Sequence, residues 1–225
     1  MVALIVVITF IVFIGISSLL QKKEIKDSLE DVAVSFKRAR LPFPNGYFFS
    51  PNHTWVSLEN SGNLTIGIDE LIQRFVGKVN SIKLKNSGDY VMKGEELLSV
   101  DKDGVQISIT SPVSGKIECA NFEMDQNPQK LNDDPYQTCW LYSIKPTHLS
   151  DDIKSLKIAE QAKNWLTNEF NRLKDFVQAT QTQPALSHAT LSDGGVLVDG
   201  ISDYVDKKTI KEFEQKFLMM QNEVM

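Results

Sequence analysis

Apolar residues run without a single charge through MVALIVVITFIVFIGISSLL, about twenty positions, enough to cross roughly 30 Å of hydrocarbon as one helix. The period then changes. Ile25, Leu29, Val32 and Phe36 recur at helical spacing among charged residues, which predicts a juxtamembrane amphipathic helix as far as Arg40, lying either along the bilayer or on the soluble domain. Pro42 and Pro44 lack a backbone donor and Asn45-Gly46 favours a turn, so the helix stops there. Between Tyr47 and Ile144 short alternating runs separated by glycine and asparagine predict strands at 54–58, 64–68, 79–84, 97–100, 106–109, 115–118 and 140–144, with a short helix at 69–75. Such a series predicts a small, mainly β, barrel-like sandwich.

After Pro146 helical spacing returns. Ile153, Leu156, Ala159, Ala162, Leu166, Phe170, Leu173 and Val177 share one stripe, flanked by Trp165 and Phe176. With Ser150 to cap and Asp151 and Asp152 in the first turn, this predicts one long helix within 148–180. A stripe of that length exceeds what one small barrel covers, which predicts apolar surface left for a partner. A polar connector at 181–189 leads to a short strand between the glycine turns of 194–200, and a last helix over 206–220 carries Ile210, Phe213 and Phe217. The predicted organisation is therefore a transmembrane anchor at 1–21, a juxtamembrane helix and linker at 22–46, a β domain at 47–147, the long helix at 148–180 and a tail at 181–225, the tail being either a second module or an arm for another subunit.

Charge and composition narrow the partners. The 225-residue chain carries a net charge of −5 and no extended basic stripe, which argues against nucleic acid and for protein partners. Lys22, Lys23 and Lys26 follow the apolar run, placing the folded part on the cytoplasmic side of the inner cell membrane in a single-pass arrangement. A secretory signal would carry positive charge before its apolar segment, and only Met1 and Val2 precede this one. Cys119 and Cys139 have no Cys or His at ligand spacing, so no metal site is expected; they read as two reduced thiols, a redox pair being the alternative. Trp55, Tyr136 and Trp140 read as core or turn-closing aromatics. His53 reads as a hydrogen-bonded structural residue with no acid partner evident, and His148 and His188 lie in connectors. Gly194-Gly195 lacks the flanking strand and helix of a dinucleotide fingerprint. No nucleophile meets a base, so no catalytic residue and no enzyme activity are expected.

Several ordered motifs carry a resemblance. His53-Thr54-Trp55-Val56 and Thr65-Ile66-Gly67-Ile68 are followed by Gly77, Gly88-Asp89-Tyr90-Val91, Gly94-Glu95 and Pro112-Val113-Ser114-Gly115. Asn127-Pro128, Leu131-Asn132, Asp134-Pro135-Tyr136, Trp140-Leu141 and Ile144-Lys145-Pro146 close the series. From Phe48 to Pro146 the chain resembles the glycine cleavage system H protein family, which implies the lipoyl-type barrel-sandwich hybrid, here with a transmembrane helix before it and helices after it.

The resemblance also implies a lysine at the apex of a β-hairpin, where lipoic acid is attached. Ten positions on from Gly94, and eight back from Pro112, stands Gly104. Glycine has no amine to acylate, and Asp103-Gly104 is a favourable tight-turn pair. Two readings follow. In the first, no cofactor is bound and the chain is a structural or docking subunit of a membrane-associated complex, a redox complex being one such assembly. In the second, Lys102 is exposed at the tip and carries lipoate, making the protein a working carrier. Against that second reading, a shift of two residues along a strand moves the attachment point by about 6.6 Å.

Overall fold

The computed structural model describes residues 44–180 and 199–219. The apolar run and the juxtamembrane helix lie outside the described residues, as does most of the glycine-flanked strand, of which Asp199 and Gly200 form a turn. Among the described residues no helix is long and apolar enough to cross a membrane.

Three antiparallel strands open the domain: β1 (Tyr47–Phe49), β2 (Thr54–Leu58) and β3 (Leu64–Ile68). Helix α1 (Glu70–Val76) follows, its first amides capped by the Asp69 carboxylate, which accepts from Leu71 N and Ile72 N. Strands β4 (Ser81–Leu84), β5 (Tyr90–Val91), β6 (Glu96–Lys102), β7 (Val105–Thr110) and β8 (Gly115–Ala120) lead to a short helix, α2 (Phe122–Gln126), and to β9 (Trp140–Pro146). Helix α3 (Leu149–Asp152), strand β10 (Lys157–Ile158), the long α4 (Ala159–Ala179) and, in the tail, α5 (Lys207–Phe213) complete the order. One sheet runs β10-β1-β2-β3-β9-β8-β5, and a second runs β4-β6-β7. Alternation along each strand turns Val56, Ile66, Ile117, Tyr142 and Ile144 of the first sheet, and Ile82, Leu98, Val100, Ile107 and Ile109 of the second, into one shared core.

A second cluster closes the end of the first sheet. Trp55 Nε1 donates to the carbonyls of Ile68 and Pro135, each at 2.9 Å, and Tyr47 and Phe49 meet Tyr136 edge-on. Gly67 lies directly beneath the indole, where a β-carbon would sit 2.3 Å from a ring atom of Trp55. Trp55 and Tyr136 are thus structural, as their motifs suggest, and Trp140 packs against the same cluster.

The helix expected from Ser150 begins nine positions later. Residues 149–158 form a helical turn, a 3-10 turn and then β10, whose Lys157 and Ile158 pair with Phe49 and Phe48 at the edge of the first sheet. The Asp152 carboxylate, expected in the first turn of a long helix, instead accepts from Ser114 N at 2.8 Å. Edge-strand pairing and this tertiary bond outweigh local helix preference. Ala159, at φ +52°, makes the corner into α4.

The described part of the tail, residues 199–219, folds onto its own domain rather than forming a separate module. Gly200 N donates to Arg74 O at 2.7 Å and Ser202 Oγ to Val76 O at 2.8 Å, fastening a 3-10 turn (Ile201–Tyr204) to the end of α1. The contact is between bare backbones: a β-carbon on Gly77 would lie 2.4 Å from Gly200 Cα. Gly77→Ala therefore adds a collision to the cost of a β-carbon at φ +61° and should lower stability by roughly 1–3 kcal/mol. Gly88→Ala, at φ +96° with nothing within 4 Å, serves as the control. Equal losses from the two in urea melts would mean that the approach of Gly200 is not restrictive.

Candidate functional site

The hairpin of β6 and β7 turns in two residues. Lys102 pairs with Val105 across the strands, and Asp103 and Gly104 between them have φ of 51° and 78°. Two successive left-handed residues match the twist of the strands, which is why Asp-Gly suits this position. Asp103 N donates to Asn80 Oδ1 at 2.7 Å, Gln106 Nε2 to Asp101 Oδ2 at 2.8 Å, and Ser99 Oγ to Gln106 Oε1 at 2.6 Å. The tip is held by polar bonds on one face and by the core on the other. Gly104 stands at the apex, as expected.

Lys102 is not exposed at the tip. It lies two and four positions beyond Val100 and Leu98, so strand alternation places it on the core side, where its side chain keeps 5% of its exposure. The stem continues the apolar face, and Nζ donates to Lys78 O at 2.7 Å and pairs with Asp203. Asp103 stands further off at 3.9 Å. Asp203 comes from the 3-10 turn of the tail, so the two features that sequence reasoning treated apart meet at one amine.

Residues 206–219 then run beside the outer edge of the hairpin. Asp206 caps α5 by accepting from Thr209 N, and the helix ends in a π turn (Glu214–Leu218). Glu214 Oε1 accepts from Ser108 N at 2.7 Å, and Lys211 Nζ donates to Gln106 O while pairing with Glu214 at 2.7 Å. Two backbone groups on the open side of β7 are thus met by side chains. Beneath them Phe213 stacks on Phe75 with ring centroids 3.5 Å apart, and Phe217 packs against Phe213 and Phe176. Arg172 of α4 lies over the Phe217 ring and donates to Lys216 O at 2.6 Å. The apolar stripe of α4, expected to be left for a partner, is buried at Ala162, Leu166, Leu173 and Val177, and Phe217 of the tail covers the flanking Phe176.

His53 has the acid partners that the sequence did not reveal. Its Nδ1 lies 2.8 Å from Asp69 Oδ2, and Nε2 lies 3.5 Å from Glu169 of α4, which Arg172 also pairs at 3.0 Å. Trp165 stacks on the imidazole at 5.0 Å. Burial pulls the His53 pKa down, but Asp69 and Glu169 together outweigh it and raise the value to about 9. His53 and Asp69 are fully buried, so this arrangement ties α1 and α4 to the start of β2. The fact that Asp69 also opens α1 was the available signal.

The other candidate residues stay apart from the hairpin. Cys119 is exposed, Cys139 is buried with Sγ donating to Lys130 O, and both are free; burial raises the Cys139 thiol. The His148 ring lies 3.0 Å from Thr147 Oγ1, and His188 lies outside the described residues. Among the described residues no group of His, Cys, Asp or Glu is placed to hold a metal ion.

Comparison with known proteins gives a consistent picture. The sequence model of the family described as glycine cleavage H-protein matches residues 47–169. A probable glycine cleavage system H protein of Pyrococcus abyssi is 31% identical over 121 residues, covering 54% of this chain and 90% of the relative. The glycine cleavage system H protein of Ralstonia nicotianae is 34% identical over 113 residues, 50% of this chain and 87% of the relative. Among solved structures, a glycine cleavage system H protein from Mycobacterium marinum superposes with a TM-score of 0.49 at 23% identity, over 56% of this chain and 99% of that one. Residues 199–219 lie beyond the matched region.

Proposed function

Because the chain belongs to the glycine cleavage H-protein family, whose members are lipoate carriers rather than catalysts, we propose that it is an H-like protein that carries no lipoate and serves as a docking subunit of a membrane-associated complex. The observation that carries this reading is the hairpin itself: Gly104 closes the apex as part of a two-residue turn, and the one lysine of its two strands, Lys102, is buried. A swinging arm needs an amine that a ligase reaches and that stands clear of the fold once loaded. Lipoate on Lys102 would require the side chain to leave Asp203 and the Lys78 carbonyl and to cross from the core face into solvent. The apolar run at the start of the chain supplies the anchor in this reading, with the β domain on the cytoplasmic side of the inner membrane. The partners are proteins that bind the rigid β domain.

Intact mass of the detergent-extracted native protein, with peptide mapping across residues 95–116, tests the proposal. The expected result is an unmodified peptide from cells whose other carriers are lipoylated. A lipoyl increment on Lys102 would restore the working carrier and end the docking reading.

A further inference from the structure

We infer that the segment 199–219 is a built-in guard that keeps the Lys102 amine from being acylated. The inference deepens the proposed function and rests on it for the unmodified state of the hairpin. Asp203 and the Lys78 carbonyl both accept from Nζ, so the nitrogen has to give up these bonds before it can attack an acyl donor. Asp203 is itself held in place. Its own amide bonds Gly200 O at 2.9 Å, Ile201 and Ser202 beside it are buried, and Gly200 seats on α1 through Arg74 O. Past the 3-10 turn, Lys207 Nζ comes within 3.6 Å of where a β-carbon on Gly104 would stand, so the segment also reaches the tip. The Phe75–Phe213 stack then holds α5 on α1, while Glu214 and Lys211 hold the segment on the outer edge of β7. Opening Lys102 requires this segment to lift, and the reactivity of the amine reports how often it does.

Acetylation of the full-length protein by an N-hydroxysuccinimide ester reads this directly. Nζ attacks the ester carbonyl, an amide forms, and N-hydroxysuccinimide leaves with the proton. Lys116 and Lys208 are exposed and provide the reference rates within the same chain. Lys102 is expected to react at least about tenfold more slowly than either, a protection set by the population of the lifted state. Asp203→Ala and, independently, Phe213→Ala should each bring its rate toward that of Lys116. If Lys102 reacts as fast as Lys116 in the unsubstituted chain, or stays slow in both variants, the guard is refuted. The untreated peptide separates the two failures. A lipoyl group already on Lys102 overturns both the docking reading and the guard, whereas rapid acetylation of an unlipoylated Lys102 overturns the guard alone.

Discussion

Phe213→Ala is expected to lower the stability of the protein by about 3–5 kcal/mol, the loss typical of truncating a fully buried aromatic. Phe213 has no exposed surface, stacks almost parallel on Phe75 at 6°, and packs against Phe217 at 5.0 Å. Alanine would leave a cavity between α1 and α5 that neither sheet can fill, because the surrounding core belongs to separately hydrogen-bonded elements. The Ser108 amide, bonded to Glu214, should exchange its hydrogen faster, and amides shared by β3 and β9 that exchange only on global unfolding should lose protection by the full global change. Urea denaturation and hydrogen exchange both give the size; a loss below about 1 kcal/mol would show that the tail rests on the domain without adding to its core.

A second large effect concerns pH. His53 has a folded pKa of about 9 against the ordinary 6.5, so the protonated imidazole is favoured by folding. Its contribution is fully present below pH 6.5, declines as the pH rises from there toward 9, and is absent above it. A gap of that size corresponds to roughly 3 kcal/mol between the two limits. Asp69→Asn removes the nearer partner and leaves burial to pull the imidazole down, so the decline across this window should flatten. Stability measured in urea on either side of the window, for the unsubstituted protein and for Asp69→Asn, decides the matter. An identical pH slope in both proteins would mean that the pair does not couple to folding.

Local chemistry made the hairpin legible in the sequence. Asp103-Gly104 announces its own turn, and the strands around it follow from alternation with small errors at their ends, such as β6 extending to Lys102. The same alternation places Lys102 on the face of Leu98 and Val100; nearness to the tip concealed this, because a lysine at a turn is ordinarily solvated. What the sequence could not show are the long connections. Asp203 reaches Lys102, and Glu169 reaches His53, only after the chain has crossed the domain. The start of α4 was obscured differently: Ile153 and Leu156 fit the helical stripe, yet the chain there makes a 3-10 turn that leads into β10. A stripe read without its neighbours also suggested exposed surface where Phe217 and Phe176 meet.

Among the described residues β7, at one edge of the three-stranded sheet, has no further strand beside it; instead, Lys211 and Glu214 occupy the positions where a neighbouring backbone would bond Gln106 and Ser108. An unpaired strand edge is a template for another chain. A protein shortened to residue 180 would uncover that template together with Phe75 and Phe176, and its characteristic failure would be self-association through β7 into oligomers and precipitate.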